Sequence, residues 1–174
     1  MTKKGNYKNR LKGRINQKKG DRSETATINQ LKIMGFRKVR KIHTGFQQIP
    51  IAGSKKFVPT KKVDGDISAV HPQTGRSVQV EVKNRDSKTL PRSAFEDHQI
   101  DSLDEQIECG GISIIAWLNN SMLYVMDYKK LKELGFGQPI GNGKKRRSID
   151  LAMAKTCEIN DINDYGVFLN LDGD

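Results

Sequence analysis

Within the stretch Val63 to Lys83 the chain carries two aspartates, Asp64 and Asp66, and then the triplet Glu81-Val82-Lys83. Carboxylates brought close together repel one another unless a cation sits between them. Hard oxygen ligands in small number, with coordination positions left open, suit Mg²⁺ and its waters, and Mn²⁺ can stand in for it. A lysine beside such a cluster can orient or help deprotonate a metal-bound water, or stabilise charge developing on a phosphate. Together these groups are the parts needed to hydrolyse a phosphodiester. The ordinary alternative is a hairpin with a solvated, charge-paired outer face.

The elements that must position these groups are legible in the alternation around them. Val78, Val80 and Val82 fall on one face of a strand, so Gln79, Glu81 and Lys83 share the other. Ile67 and Ala69 likewise point away from Asp64, Asp66 and Ser68, and His71-Pro72-Gln73-Thr74-Gly75-Arg76 supplies the turn between the two strands. A turn centred on Gln73-Thr74 sets Asp66 opposite Glu81, and one centred on Thr74-Gly75 sets it opposite Lys83. Residues directly across a ladder share a face. Both registers gather acids and a lysine on the polar side and leave valine and isoleucine for a core.

Charge points to the same class of substrate. The formal net charge is +11 over 174 residues. Residues 1–22 hold nine Lys or Arg against one acid, Asp21, which leaves the remainder nearly balanced. A basic, flexible arm, with Lys12, Arg14, Lys18, Lys19 and Arg22 as its DNA-binding candidates, reads as a contact to phosphates that is independent of sequence. The bland reading is a tail that aids solubility. Lys61 and Lys62 before the hairpin, and Arg85 and Lys88 after it, extend the set of DNA-binding candidates. Cys109 and Cys157 have no spacing that suggests a disulfide framework or a zinc site, so a reducing compartment is expected. No apolar run approaches a membrane span, and the basic start lacks the apolar stretch of a signal peptide. A cytoplasmic protein without a membrane partner is expected.

In chain order, Ser23 is expected to cap a helix that begins at Glu24 and ends at Gly35, with Ala26, Ile28, Leu31 and Met34 buried. Glu24 suits the helix dipole there, and it could also reach a metal from the side. Phe36 to Ile42 is expected as an edge strand, and Thr44 to Lys62 as an exposed loop or ribbon. Ser93 with Glu96 forms a capping box before a second helix that Gly110-Gly111 stops. His98 near its start reads as a structural hydrogen-bonder. Ile112 to Leu118 is a buried central strand, and Met122 to Met126 returns beside it after Asn119-Asn120. Asp127 caps a short helix closed by Gly135, and a short helix is expected within Ile149 to Lys155. The sum is an α/β fold, a central mixed sheet flanked by helices with a basic N-terminal arm. Residues 1–22 form the arm, 23–135 a nuclease domain and 136–174 a C-terminal extension.

Asp66 followed after a hairpin by Glu81-Val82-Lys83 resembles the signature of the PD-(D/E)XK nuclease superfamily, whose fold is restriction-endonuclease-like. The Ser23-Glu24 helix start, the stretch from Leu90-Pro91 through Phe95 to His98-Gln99, and Gly111-Ile112-Ser113-Ile114-Ile115 are similar to RecU-type Holliday-junction resolvases over about residues 20 to 135. The resemblance implies that Asp66 and Glu81 hold Mg²⁺ and that Lys83 orients water or stabilises the transition state. It makes Glu24 an accessory acid and Gln99 a helper from the facing helix. It further implies a homodimer that nicks four-way DNA junctions symmetrically, in a bacterial or phage-infected cell. The family shows a Thr before its Asp where this chain has Val63-Asp64-Gly65-Asp66, so Asp64 and Asp66 both stand as metal-ligand candidates. Two rival readings are a superfamily nuclease acting on duplex DNA and a non-catalytic DNA-binding protein.

Overall fold

The computed structural model describes residues 3–43, 46–51, 54–59, 65–141 and 145–159, with side chains for 18–43, 65–141 and 145–159. Its centre is a five-stranded mixed sheet in the order β1-β4-β5-β7-β8. The strands are β1 (Arg37–Lys41), β4 (Ile67–Val70), β5 (Ser77–Asn84), β7 (Ile112–Asn119) and β8 (Met122–Asp127). Between β1 and β4 the chain forms an antiparallel ribbon of β2 (Phe46–Ile51) and β3 (Ser54–Pro59), the ribbon alternative expected there. β5 and β7 run parallel, and every other neighbour in the sheet is antiparallel. A parallel pair needs a long crossover, and α2 (Asp97–Glu108) supplies it.

The hairpin takes the first of the two expected registers. Ile67 pairs with Val80 and Ser68 with Gln79, so carrying the count one residue further sets Asp66 across from Glu81. Alternation then divides the sheet into two faces with two cores. Val78, Val80 and Val82 lie with Ile67, Ala69, Ile112, Ile114 and Ala116 beneath Leu31 of α1 (Lys3–Ile33) and Met34 just after it. Ile115, Trp117, Tyr124 and Met126 lie on the opposite face, with Leu103 of α2 and Tyr128 and Leu131 of α3 (Tyr128–Glu133). Burying one such aliphatic side chain is worth about 1.5–3 kcal/mol. Slipping the register by one residue would forfeit that for the whole row.

Two helix starts differ from expectation. Ser23 is no N-cap: α1 begins at Lys3, taking the basic segment expected as a flexible arm into the same helix, and the Ser23 hydroxyl donates to the carbonyls of Lys19 and Gly20 within it. Serine serves both roles, because its hydroxyl can satisfy a helical carbonyl as well as a free amide. The second helix is capped by Glu96 rather than Ser93. Residues Arg92–Ala94 form a 3-10 turn first, and the capping box closes between Glu96 and Gln99. At its other end α1 stops as expected. Gly35, at φ 97°, turns the chain so that its own amide and that of Phe36 reach the carbonyls of Lys32 and Leu31.

Beyond residue 135 no separate core appears among the described residues, and the boundary expected there does not divide the packing. Short pairs join β9 (Pro139–Ile140) to β10 (Lys145–Arg146), and β11 (Ile149–Asp150) to β6 (Thr89–Leu90). Phe136, Ile149, and then Met153 and Ala154 of α4 (Leu151–Thr156) and Cys157 complete the α2-side core. Ile159 reaches the α1-side core and donates its amide to Val125.

Candidate active site

β5 is buried on both sides, so its polar residues are not a solvated outer face. Glu81 has 1% of its surface exposed, and Gln79 is buried beside it with its amide nitrogen on the Ser102 hydroxyl of α2. Two residues on, Lys83 Nζ donates to Glu81 Oε1 at 2.8 Å and to Gln99 Oε1 at 2.9 Å. Gln99 Nε2 donates in turn to Glu81 Oε1. The same Gln99 Oε1 accepts the Glu96 amide that closes the capping box, at 3.0 Å. The start of α2 and the acid–lysine pair of β5 are therefore tied together through one side chain.

Asp66 stands just outside β4, where the ladder runs out. Its carboxylate takes over as acceptor: Val82 N donates to Asp66 Oδ2 at 2.8 Å, while the Asp66 amide donates to Val80 O at 2.9 Å. The preceding Gly65 makes this turn possible. It sits at φ 78°, and a Cβ there would lie 2.7 Å from Gln79 Cγ and 3.2 Å from Val80 O.

The electrostatics follow from burial. Desolvation, and then the charge of Asp66, push the Glu81 carboxyl up from 4.5 to about 7, against the downward pull of Lys83; Glu96 adds to the rise. A buried carboxylate beside a second one is a place where a hard cation relieves both desolvation and repulsion, so the donor set fits a divalent metal. Among the described residues no group of three or more His, Cys, Asp or Glu forms a cage. A site built on Asp66 and Glu81 would thus leave coordination positions open. Asp64, the other aspartate candidate, lies outside the described residues.

The sequence model of the family described as recombination protein U matches residues 26–170. The chain belongs to the RecU family. The RecU-type resemblance drawn from the Ser23-Glu24 start, the stretch from Leu90-Pro91 to His98-Gln99 and Gly111 to Ile115 is borne out, and with it an enzyme: a metal-dependent nuclease that resolves Holliday junctions in recombination. Among solved structures, Hjc, a Holliday junction resolvase from the archaeal hyperthermophile Archaeoglobus fulgidus, is similar with a TM-score of 0.51. The identity is 14%, over 78% of this chain and 92% of that one, a likeness of fold that bears out the expected mixed sheet flanked by helices. No curated relative matches the chain.

In this RecU-family chain the candidates Asp66, Glu81, Lys83 and Gln99 come together, but Glu24 does not join them. On α1 it pairs instead with β1, where Lys41 Nζ lies 2.5 Å from its Oε2 and 3.0 Å from Asp21 Oδ1. Glu24 Oε2 is shielded from solvent and is satisfied by that ion pair rather than by a well-angled hydrogen bond. The two acids raise the Lys41 ammonium above its ordinary value, Glu24 first.

The DNA-binding candidates sort by position. Lys61 and Lys62 lie outside the described residues, and Lys12 and Arg14 belong to the part of α1 whose side chains are not described. Lys18, Lys19 and Arg22 are exposed, as are Arg85 and Lys88 after β5. Lys19 and Arg22 line a cleft of about 330 Å³ with Asn84, which follows Lys83 and donates to Lys19 O. Among the described residues no helix is long and apolar enough to cross a membrane.

Sequence reasoning missed Phe95. Its ring centre lies 4.9 Å from Lys83 Nζ, so an aromatic face lies against the amino group that Glu81 and Gln99 also hold. In the sequence Phe95 reads as one more apolar residue of a helix stripe. Only the Phe…His-Gln stretch of the resemblance pointed to it.

Proposed function

We propose that Asp66 and Glu81 hold Mg²⁺, which Mn²⁺ can replace, and that Lys83 serves the reacting phosphate in a homodimer that nicks four-way DNA junctions symmetrically. The observation that carries this reading is the convergence of Asp66, Glu81 and Lys83 on one face of the hairpin. The cation, when bound, would neutralise the carboxylate pair and stabilise charge on phosphoryl oxygens.

The chain's own groups do the rest. Asp66 is fixed by the Val82 amide, so its carboxylate does not have to be ordered when a cation arrives. Gln99 holds Glu81 and Lys83 in one arrangement, donating to the first and accepting from the second. Lys83 lies beside the acids, 2.8 Å from Glu81 Oε1, where its amino group can orient water or offset charge on the phosphate. Asp64 is the alternative or additional aspartate ligand. Glu24 would act as an accessory acid only if Lys41 releases it. Lys12, Arg14, Lys18, Lys19, Arg22, Lys61, Lys62, Arg85 and Lys88 would hold DNA phosphates, and the site of action would be the cytoplasm of a bacterial or phage-infected cell.

The test uses a four-way junction and a linear duplex of the same sequence. Asp66→Ala, Glu81→Ala and Lys83→Ala should each abolish junction cleavage while junction binding survives. Unchanged cutting by Glu81→Ala rejects the assignment. Sedimentation of the full chain with and without a junction should give a dimer.

A further inference from the structure

The same face of the sheet that carries Asp66 and Glu81 continues into a groove of about 500 Å³. Lys38 and Arg40 of β1 form one wall, Ser68 and Gln79 its floor, and Glu105 and Cys109 its α2 side. Alternation places Asp66 and Ser68 in one row and Glu81 and Gln79 in the next, with Ser68 and Gln79 as register partners. Two residues along a strand span about 7 Å, so the groove opens one step from the carboxylates. α2 packs over β5 and β7, and the groove runs where the same face continues onto β4 and β1.

Its charge is asymmetric. Lys38 and Arg40 are exposed on the β1 wall, and Arg40 Nε reaches Ser68 Oγ on the floor at 3.3 Å. The lining acid, Glu105, stands on the α2 side. A phosphate would be drawn to the first wall and repelled from the second, leaving sugar and base toward Ser102 and Gln106. Lys38 is also held at φ 52°, in the bulge where pairing slips from Arg37↔Val70 to Arg40↔Ser68. Left-handed backbone at a lysine is unfavourable, and bulges beside active sites commonly re-aim a side chain.

We propose that this groove seats the nucleotide adjoining the scissile phosphodiester, with Lys38 and Arg40 on its phosphate. The inference rests on the reading of Asp66 and Glu81 as the catalytic pair. It names a part of the substrate path that the basic segment, the 61–62 lysines and the 85–88 loop do not cover.

Cys109 provides a native probe, because it is exposed at the groove and the other cysteine, Cys157, is buried. Junctions carrying a disulfide-activated tether at successive nucleotides around the cut site would be mixed with full-length Glu81→Gln protein. Crosslinking should peak within one or two nucleotides on one side of the cut and vanish with Cys109→Ser. Crosslinking that is uniform along the arms, or absent next to the cut, overturns the proposal. So does a Cys109 reactivity that falls with protein concentration and ignores DNA, which would mark a protein interface instead.

A second arm measures binding. Arg40→Gln, and Lys38→Asn, chosen because Asn tolerates left-handed backbone, should each reduce the salt slope of junction binding by about one. Each should raise KM about tenfold with kcat unchanged, while Lys129→Gln on α3 changes neither. Wild-type slopes in both variants overturn the proposal. If Glu81→Ala is inert while Arg40→Gln and Lys38→Asn behave as wild type, the groove assignment alone falls. If Glu81→Ala still cuts, the catalytic reading falls with it.

Discussion

Burial and the charge of Asp66 raise the Glu81 carboxyl to about 7, whereas in the unfolded chain it returns to 4.5. Between those values the folded, metal-free protein binds a proton that the unfolded chain has lost. Stability therefore falls as pH rises through that window and is level above it. The effect is bounded by about 3 kcal/mol, since each tenfold change in proton affinity corresponds to about 1.4 kcal/mol. Urea unfolding in a chelator at pH 5 and 7.5 should show the decline in the wild type and lose it in Glu81→Gln. If Glu81 holds the cation as proposed, a divalent metal would invert the dependence, because it would bind the ionised carboxylate; metal affinity should then climb toward pH 7 with proton release on binding. The Phe95 ring makes a separate prediction. Pentafluorophenylalanine at that position keeps the shape but reverses the ring's electrostatic face. Weakening a contact worth about 0.5–2 kcal/mol should slow cleavage about 2- to 30-fold with little change in melting temperature. At this scale the acids and the lysine were legible because charge on an alternating strand is conspicuous. Phe95 was not, because an aromatic that holds a cation and one that fills a core have the same sequence signature.

The elements place these residues through features that propensity alone does not rank. The turn centre decided whether Asp66 faces Glu81 or Lys83, and both centres were compatible with Pro72 and Gly75. What separates them in the folded chain is Gly65, whose positive φ and close approach to Gln79 and Val80 let Asp66 turn in toward the Val82 amide. Gly65→Ala should cost about 1–3 kcal/mol in urea unfolding. It should reduce cleavage by more than its effect on the folded fraction, because the carboxylate moves with the backbone. The capping box illustrates the opposite problem. Ser93 and Glu96 fit the motif's letters, but Pro91 led into a 3-10 turn, and the box formed three residues later between Glu96 and Gln99. That shift is what connects a helix end to the site. Gln99→Ala should therefore lose about 1 kcal/mol of capping and lower kcat as well, whereas an ordinary cap would lower only stability.

For the whole molecule, the layered α/β plan was legible because runs such as Ile112–Leu118 are apolar without interruption and their flanking Gly and Asn residues mark the turns. The role of residues 136–159 was not, since isolated buried positions such as Ile149 and Cys157 are too widely spaced to show a period. They nonetheless close both cores. Ile149→Ala should cost about 2–5 kcal/mol by chemical denaturation, and a chain ending at residue 143 should show no cooperative unfolding transition. The two faces of β5 have divided labour, and this has a consequence for any saturation mutagenesis of the strand. Even-numbered positions, the valines, should register as thermal sensitivity with normal turnover per folded molecule. Odd-numbered positions at 81 and 83 should register as inert but well-folded protein, so a two-residue rhythm of phenotypes would trace the pleat.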